Sequence, residues 1–586
     1  MKLEVPLFVE KFLDLVEEKV GKGRIFNELQ EETTTTSFLE SVTRLSNLLA
    51  AIHGGFDSDK GRASLINRVG AIQQRAMSYL EDEFRQLLEE PPKHTINESS
   101  ETGKNAQDRQ DQDQPNVEEL PTDIFPGYPP ETVANLKKIS DQMIKAGYEY
   151  ECREVYVVAR RNSLEETLNH HLCYEKLSID EVHRMPWDSM EREIPTWTKT
   201  FKDCATIYFP GEKKLADEVF SDHAAIAADL FTKVARSTEI QLLNFAEAVA
   251  MTKRSAEKLF KVLDMYETLR DHFAAVNDLF PEPFAKELKA EANTSRSRLG
   301  ETAIYMFCDL ENSIKSDTGK TPVPGGAVHP LTRYTMNYLR YACEYKTTLE
   351  QVFKEHWKIE RADSTSRPRH DGVVDDDHDS NNADSKNNES VSPFSAQLMR
   401  VMDLLDSNLE KKSKLYKDIP LSCIFMMNNG RYIVQKIKGS AEIHQVMGDT
   451  WCRKRSSNLR NYHKNYQRET WGKLLGCLGH EGLMVNGKLV KPVLKERFKS
   501  FNAMFDEIHR TQSTWVVSDE QLQSELRVSI SAVVIPAYRS FLGRFSQYLD
   551  PGRQTEKYIK FQEEDIETYI EELFDGNQAS AMARRR

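Results

Sequence analysis

The side chains best placed to do chemistry are cations, and the chemistry they offer is the binding of anions. Between Arg431 and Arg510 there are sixteen Lys and Arg against seven Asp and Glu, including the run Arg453, Lys454, Arg455 and the cluster Lys491, Lys495, Arg497, Lys499. Arg553, Lys557 and Lys560 follow at i, i+4 and i+7, a spacing that aligns them if the stretch is helical. A basic side chain at an anionic leaflet contributes about 1 kcal/mol, so four to six of them give an association constant on the order of a thousand to ten thousand per molar. Such docking is reversible and gains strength from several copies or partner subunits acting together. Nucleic acid would also be attracted, but the aromatic residues here fall on an apolar stripe where they cannot stack on bases, so a membrane lipid is the expected ligand and nucleic acid is not.

No set of residues for covalent or acid–base catalysis assembles from spacing. Glycine pairs at Gly54–Gly55 and Gly325–Gly326 belong to neither a dinucleotide-binding nor a P-loop pattern. His170, His171 and Cys173 lack a second ligand cluster, so no metal site is expected. The acids Glu563, Glu564, Asp565 and Glu567 sit where they complement the dipole of a helix start. Met426 and Met427 read as core. No enzyme and no cofactor is expected.

These cations need helices to position them. The segment VLKERFKSFNAMFDEIHR sets Leu494, Phe498, Phe501, Phe505 and Ile508 on one face. Ser518 with Gln521 has capping-box spacing ahead of Leu522, Leu526, Ile530 and Val533, with Pro536 expected to bend or break that helix. A last helix carries Ile566, Tyr569, Ile570, Leu573 and Phe574 and ends at Gly576, a residue suited to a left-handed cap. Upstream, three-to-four spacing recurs at Leu7, Phe8, Phe12, Leu15, Val16, again at Leu65, Val69, Ile72, Met77, Leu80, Phe84, Leu87, and at Leu259, Val262, Leu263, Tyr266, Leu269. Strand alternation of useful length and internal repeats are both lacking, so the fold class is all-α.

The 586 residues suffice for three or four packed units. The expected organisation is an N-terminal helical, coiled-coil assembly region at 1–92, a flexible acidic polar linker at 93–132, a helical bundle body at 133–360, an acidic disordered loop at 361–392 holding Asp375, Asp376, Asp377 and Asp379, and C-terminal helical bundles with a basic membrane-binding tip at 393–586. Charge is segregated between these parts. From Pro393 onward there are 30 Lys and Arg against 23 Asp and Glu, whereas the whole chain has a net charge of -13. That polarity suits a connector with one end on an anionic surface and the other on a protein. Eight scattered cysteines with no C-x-x-C pair fit a reducing cytosol, and neither a signal peptide nor a membrane-spanning run is expected.

The stretch PGGAVHPLTRYTMNYLRYACEY, Pro324 to Tyr345, resembles the signature of the seventy-kilodalton subunit of the exocyst, in particular its plant branch. RAMSYLEDEFRQLL from Arg75, EKLSIDEV from Glu175, FMMNNGRYIVQKIKGS from Phe425, LKERFKSFN from Leu494, VIPAYRSFLGRF and KYIKF agree with the family in order along the chain. The resemblance implies an elongated rod of stacked antiparallel helical bundles in a complex that tethers secretory vesicles to the plasma membrane before fusion. It implies a cytoplasmic protein, peripheral at the cytosolic face of that membrane. The C-terminal tip would bind phosphatidylinositol 4,5-bisphosphate through the KYIK element, here Lys557 and Lys560, with Lys495, Arg497 and Lys499 of LKERFK adding to it. It also implies other exocyst subunits as partners of the N-terminal helices, and Rho-type GTPases as partners of some members. Gly430 and Arg431 depart from the family, which keeps an apolar residue and a His there; so do the acidic loop and the tail Arg584–Arg586. These departures leave a second expectation, a specialised helical adapter, for example in plant defence, that has left bulk secretion.

Overall fold

A computed structural model describes residues 7–20, 32–53, 60–89, 125–174, 177, 179–363, 392–485, 488–549 and 558–576. Among these the regular structure is helical apart from one antiparallel pair of two-residue strands, β1 (Met484–Val485) and β2 (Lys488–Leu489), and a single bridge between Val516 and Asp575. Most of the polar linker expected at 93–132 and of the acidic loop expected at 361–392 lies outside the described residues, as does the Arg-rich tail. The chain divides into two compact units, residues 1–253 with 261–302, and residues 254–260 with 303–586.

In the first unit, α1 (Leu7–Val20), α2 (Glu32–His53) and α3 (Lys60–Glu89) precede α4 (Pro130–Lys145), α5 (Glu149–Leu172), α6 (Ile179–Arg184), α7 (Trp187–Asp203), α8 (Phe209–Val219) and α9 (Ala224–Ala250). Apolar residues in α1 occupy two faces. The buried one is Val9, Leu13 and Val16, while Phe8 and Leu15 stand 72% and 52% exposed. Periodicity alone could not choose between these faces because both keep three-to-four spacing. α3 buries Val69, Ile72, Met77, Leu80, Phe84 and Leu88, and the Phe84 ring meets Tyr156 of α5 at 6.4 Å. A fully buried ion pair joins α5 to α8: Arg160 Nε donates to Glu212 Oε2 at 3.1 Å, and a second Arg160 nitrogen donates to Tyr128 Oη at 2.7 Å. Both charges keep hydrogen-bonded partners, which offsets their desolvation. On α9, Glu239 is also fully buried, yet neither of its carboxylate oxygens has a hydrogen-bond partner. Burial raises its pKa to about 8.

α10 (Leu259–Asn277) and α11 (Phe284–Ser316) come next along the chain, and the second unit contains α12 (Pro330–Glu344), α13 (Lys346–Asp363), α14 (Pro393–Ser413), α15 (Ile419–Lys438), α16 (Ala441–Gln467), α17 (Lys473–Gly476), α18 (Lys491–Gln512), α19 (Glu520–Phe545) and α20 (Glu563–Glu571). The PGGAVHP turn works by glycine and proline chemistry. Gly325 and Gly326 adopt φ of 64° and 71°, and Pro330 opens α12 with His329 Nδ1 accepting from Leu331 N at 3.2 Å. The turn is locked by the NN pair of α15. Asn428 Nδ2 donates to Gly326 O and to Val516 O, each at 2.7 Å, while Asn429 Oδ1 accepts from His329 N at 3.0 Å and Thr332 Oγ1 at 2.7 Å. Two stretches a hundred residues apart are thus one polar joint. Met426 and Met427 are buried beside it.

Three local expectations change. The cap of α19 is Asp519, whose carboxylate accepts from Leu522 N at 2.7 Å; its acceptor is charged, and it serves Arg431 Nε at 3.2 Å as well, so it takes the place expected for Ser518. The buried face of α19 runs through Leu522, Leu526, Ile530 and Val534, leaving Val533 45% exposed, because a steady four-residue step stays on the core side. α19 also continues past Pro536 to Phe545, so of the bend or break expected there the break does not occur. Gly430 allows close approach of α16 to α15: a Cβ there would lie 2.3 Å from Leu459 Cδ2.

Candidate functional site

α18 is built by an aromatic core stripe. Leu494, Phe498, Phe501 and Phe505 are buried, and Phe501 stacks on Tyr538 of α19 at 4.8 Å while Phe505 meets Phe561 at 5.1 Å. Centroid separations of this size are those of favourable aromatic pairs, so the stripe fixes the helix's rotation about its axis. A second stripe therefore has a defined position: Lys495, Lys499, Asn502 and Asp506, at steps of four, three and four.

The segment Tyr558–Ile559–Lys560 runs along this second stripe. Lys495 Nζ stands 5.2 Å and Lys499 Nζ 5.9 Å from the centroid of the Tyr558 ring. Buried Asn502 donates from Nδ2 to the Tyr558 carbonyl at 2.8 Å. Lys560 forms an ion pair with Asp506, and its ammonium also lies 4.8 Å from the Phe561 ring centroid. Lys499 and Lys560 keep about half of their side-chain surface exposed. Among the described residues, Lys499 Nζ lies 3.9 Å from Glu496, itself 71% exposed. The arrangement can attract a phosphate-bearing group at the exposed face and hold it by charge-assisted hydrogen bonds.

Among the described residues, other cations expected at this face are elsewhere. Arg497, two residues from Lys495 and so about 200° around the helix, donates to Gly476 O and Glu481 O at 3.2 Å each, closing the carbonyl end of α17 and the turn after it. Arg455 is buried and pairs with Asp406 at 2.6 Å; burial outweighs that attraction and lifts Asp406 to about 6. Arg431 lies between Asp519 and Glu525, at 3.2 and 3.7 Å. Arg553 and Lys557 lie outside the described residues, and Ile559 and Lys560 are not helical, so the expected i, i+4, i+7 alignment does not reach Lys560. The sequence reading missed Tyr558, Asn502 and Asp506. Each had a visible signal: a tyrosine between the lysines of KYIK, and polar residues seven and eleven positions after Lys495.

Two family patterns match the chain: the C-terminal region of Exo70, an exocyst complex subunit, over residues 195–572, and the N-terminal region of the exocyst complex component Exo70 over residues 9–90. The chain belongs to the Exo70 family. Among Exo70 relatives, exocyst complex component EXO70C2 of Arabidopsis thaliana is 59% identical over 100% of this chain and 84% of its own length. EXO70C1 of the same plant is 49% identical over 100% and 89%, and EXO70A1 is 32% identical over 92% and 83%. The crystal structure of yeast (S. cerevisiae) Exo70 resolved to 2.1 Å superposes with a TM-score of 0.56, covering 98% of this chain and 99% of the yeast chain at 15% identity. At that identity the likeness speaks for a shared all-helical fold. No helix among the described residues is long and apolar enough to cross a membrane.

Proposed function

We propose that this Exo70 protein is a non-catalytic exocyst subunit that tethers secretory vesicles, and that it docks on phosphatidylinositol 4,5-bisphosphate at the cytosolic face of the plasma membrane through Lys495, Lys499 and Lys560, with Arg553 and Lys557 of the preceding stretch adding charge. The observation that carries this reading is the convergence of Lys495 and Lys499 on the Tyr558 ring, with half-exposed Lys560 two residues further along the same segment. Each lysine adds about 1 kcal/mol near an anionic leaflet, enough for reversible docking and too little for permanent anchoring. Assembly with other exocyst subunits falls to residues 1–92. The exposed Phe8 and Leu15, seven residues apart on α1 behind its buried stripe, support that role, since a heptad-spaced apolar row suits a partner helix.

Co-sedimentation of the full chain with phosphatidylcholine vesicles, with and without a few per cent of the inositol lipid, tests the docking. Lys495→Glu with Lys499→Glu should lower the bound fraction at least tenfold while the helical circular dichroism stays as in the parent chain. Equal pelleting of parent and variant would overturn the lipid reading.

A further inference from the structure

We infer that Tyr558 is the positioning residue of this anion site: its ring holds the Lys495 and Lys499 ammonium groups together as one binding element. The inference rests on the lipid reading above and adds to it a residue that carries no charge. Three observations support it. Both ammonium groups lie within cation–π range of the same ring, at 5.2 and 5.9 Å. The ring is fixed from behind, because buried Asn502 donates to the Tyr558 carbonyl at 2.8 Å and neighbouring Phe561 is buried against Phe505. Lys495 and Lys499 are one helical turn apart on a helix whose rotation is set by its aromatic stripe.

The physical consequence is pre-organisation. A lysine on an open surface samples many rotamers and loses that freedom when it binds a phosphate. Two like charges one turn apart also repel, which spreads them. The negative face of an aromatic ring opposes both effects: it attracts each ammonium and keeps the pair converged before the ligand arrives. The ring leaves the N–H donors turned outward available for phosphate oxygens. A headgroup bearing phosphomonoesters would meet both ammonium groups already in place.

The test compares Tyr558→Phe, which keeps the aromatic face, with Tyr558→Leu, which keeps bulk and removes the face, in the full chain. The probe is phosphatidylcholine vesicles carrying a few per cent phosphatidylinositol 4,5-bisphosphate, with Lys495→Gln and Lys499→Gln as charge controls. Tyr558→Phe should bind as the parent does, and Tyr558→Leu should bind roughly five- to tenfold more weakly with an unchanged thermal midpoint. Adding Tyr558→Leu to Lys495→Gln should cost less than it does alone, since one of its two clients is gone. Loss in the lysine controls with none in Tyr558→Leu would overturn this inference and leave the lipid reading standing. Equal loss in Tyr558→Phe and Tyr558→Leu would overturn it too, by pointing to the hydroxyl. No loss in any variant, lysines included, would overturn both.

Discussion

Lys560 is tied to Asp506 by an ion pair across the α18 surface, so one of the three proposed lysines already has an anion. The pair is exposed on both sides, 48% and 42%, and such pairs contribute between nothing and about 1 kcal/mol to folding. Asp506→Asn should therefore leave the thermal midpoint nearly unchanged. It frees an ammonium and removes a negative charge beside the site, and vesicle affinity should rise about fivefold at low salt, with the gain shrinking as salt is raised. Unchanged affinity in a vesicle titration at two salt concentrations would place Lys560 outside the docking surface.

Gly325 combines two constraints that only glycine meets. Its φ is 64°, and a Cβ there would lie 2.9 Å from Val516 Cγ2 and 3.2 Å from both Thr514 O and Val516 N. Its own carbonyl accepts from Val516 N at 2.8 Å, so the turn cannot swing away without losing that bond. A left-handed non-glycine residue costs roughly 1–2 kcal/mol, and overpacking against backbone adds roughly 1–3 kcal/mol. Gly325→Ala should thus destabilise the C-terminal unit by about 2–5 kcal/mol, read as an earlier urea transition.

Helices were legible from the sequence because apolar spacing reports burial directly: Leu259, Val262, Leu263, Tyr266 and Leu269 are all buried, as are Leu494, Phe498, Phe501 and Phe505. The choice of face failed where a helix carries two apolar rows, as in α1, since spacing does not say which row meets the core. Counting cations overstated the free positive surface. Arg431, Arg455, Arg497 and Arg510 are all engaged with acids or carbonyls of their own unit, and an arginine's planar fork favours such internal use over a lysine's single ammonium. What the sequence could not supply was the long-range pairing. That Asn428 reaches Val516, or that Tyr558 lies over Lys495, depends on which helices meet, and local pattern does not encode it.

Glu239 makes the stability of the first unit depend on pH. Its carboxyl is fully buried with no hydrogen-bond partner for either oxygen, and its pKa stands at about 8 against 4.5 for the ordinary side chain. Between those values the folded chain holds a proton that the unfolded chain releases. Folded protein thus binds more protons, and stability falls as pH rises from about 4.5 to about 8, flattening above it. Each pH unit in that window is worth about 1.4 kcal/mol, so at pH 7 the penalty is on the order of 3 kcal/mol. Glu239→Gln keeps the size and removes the titration. The variant should match the parent near pH 4.5 and exceed it progressively toward pH 8, with the gap in thermal midpoint widening in that direction. Parallel midpoint curves for the two proteins across this range would show that the carboxylate finds water or a cation in the folded state.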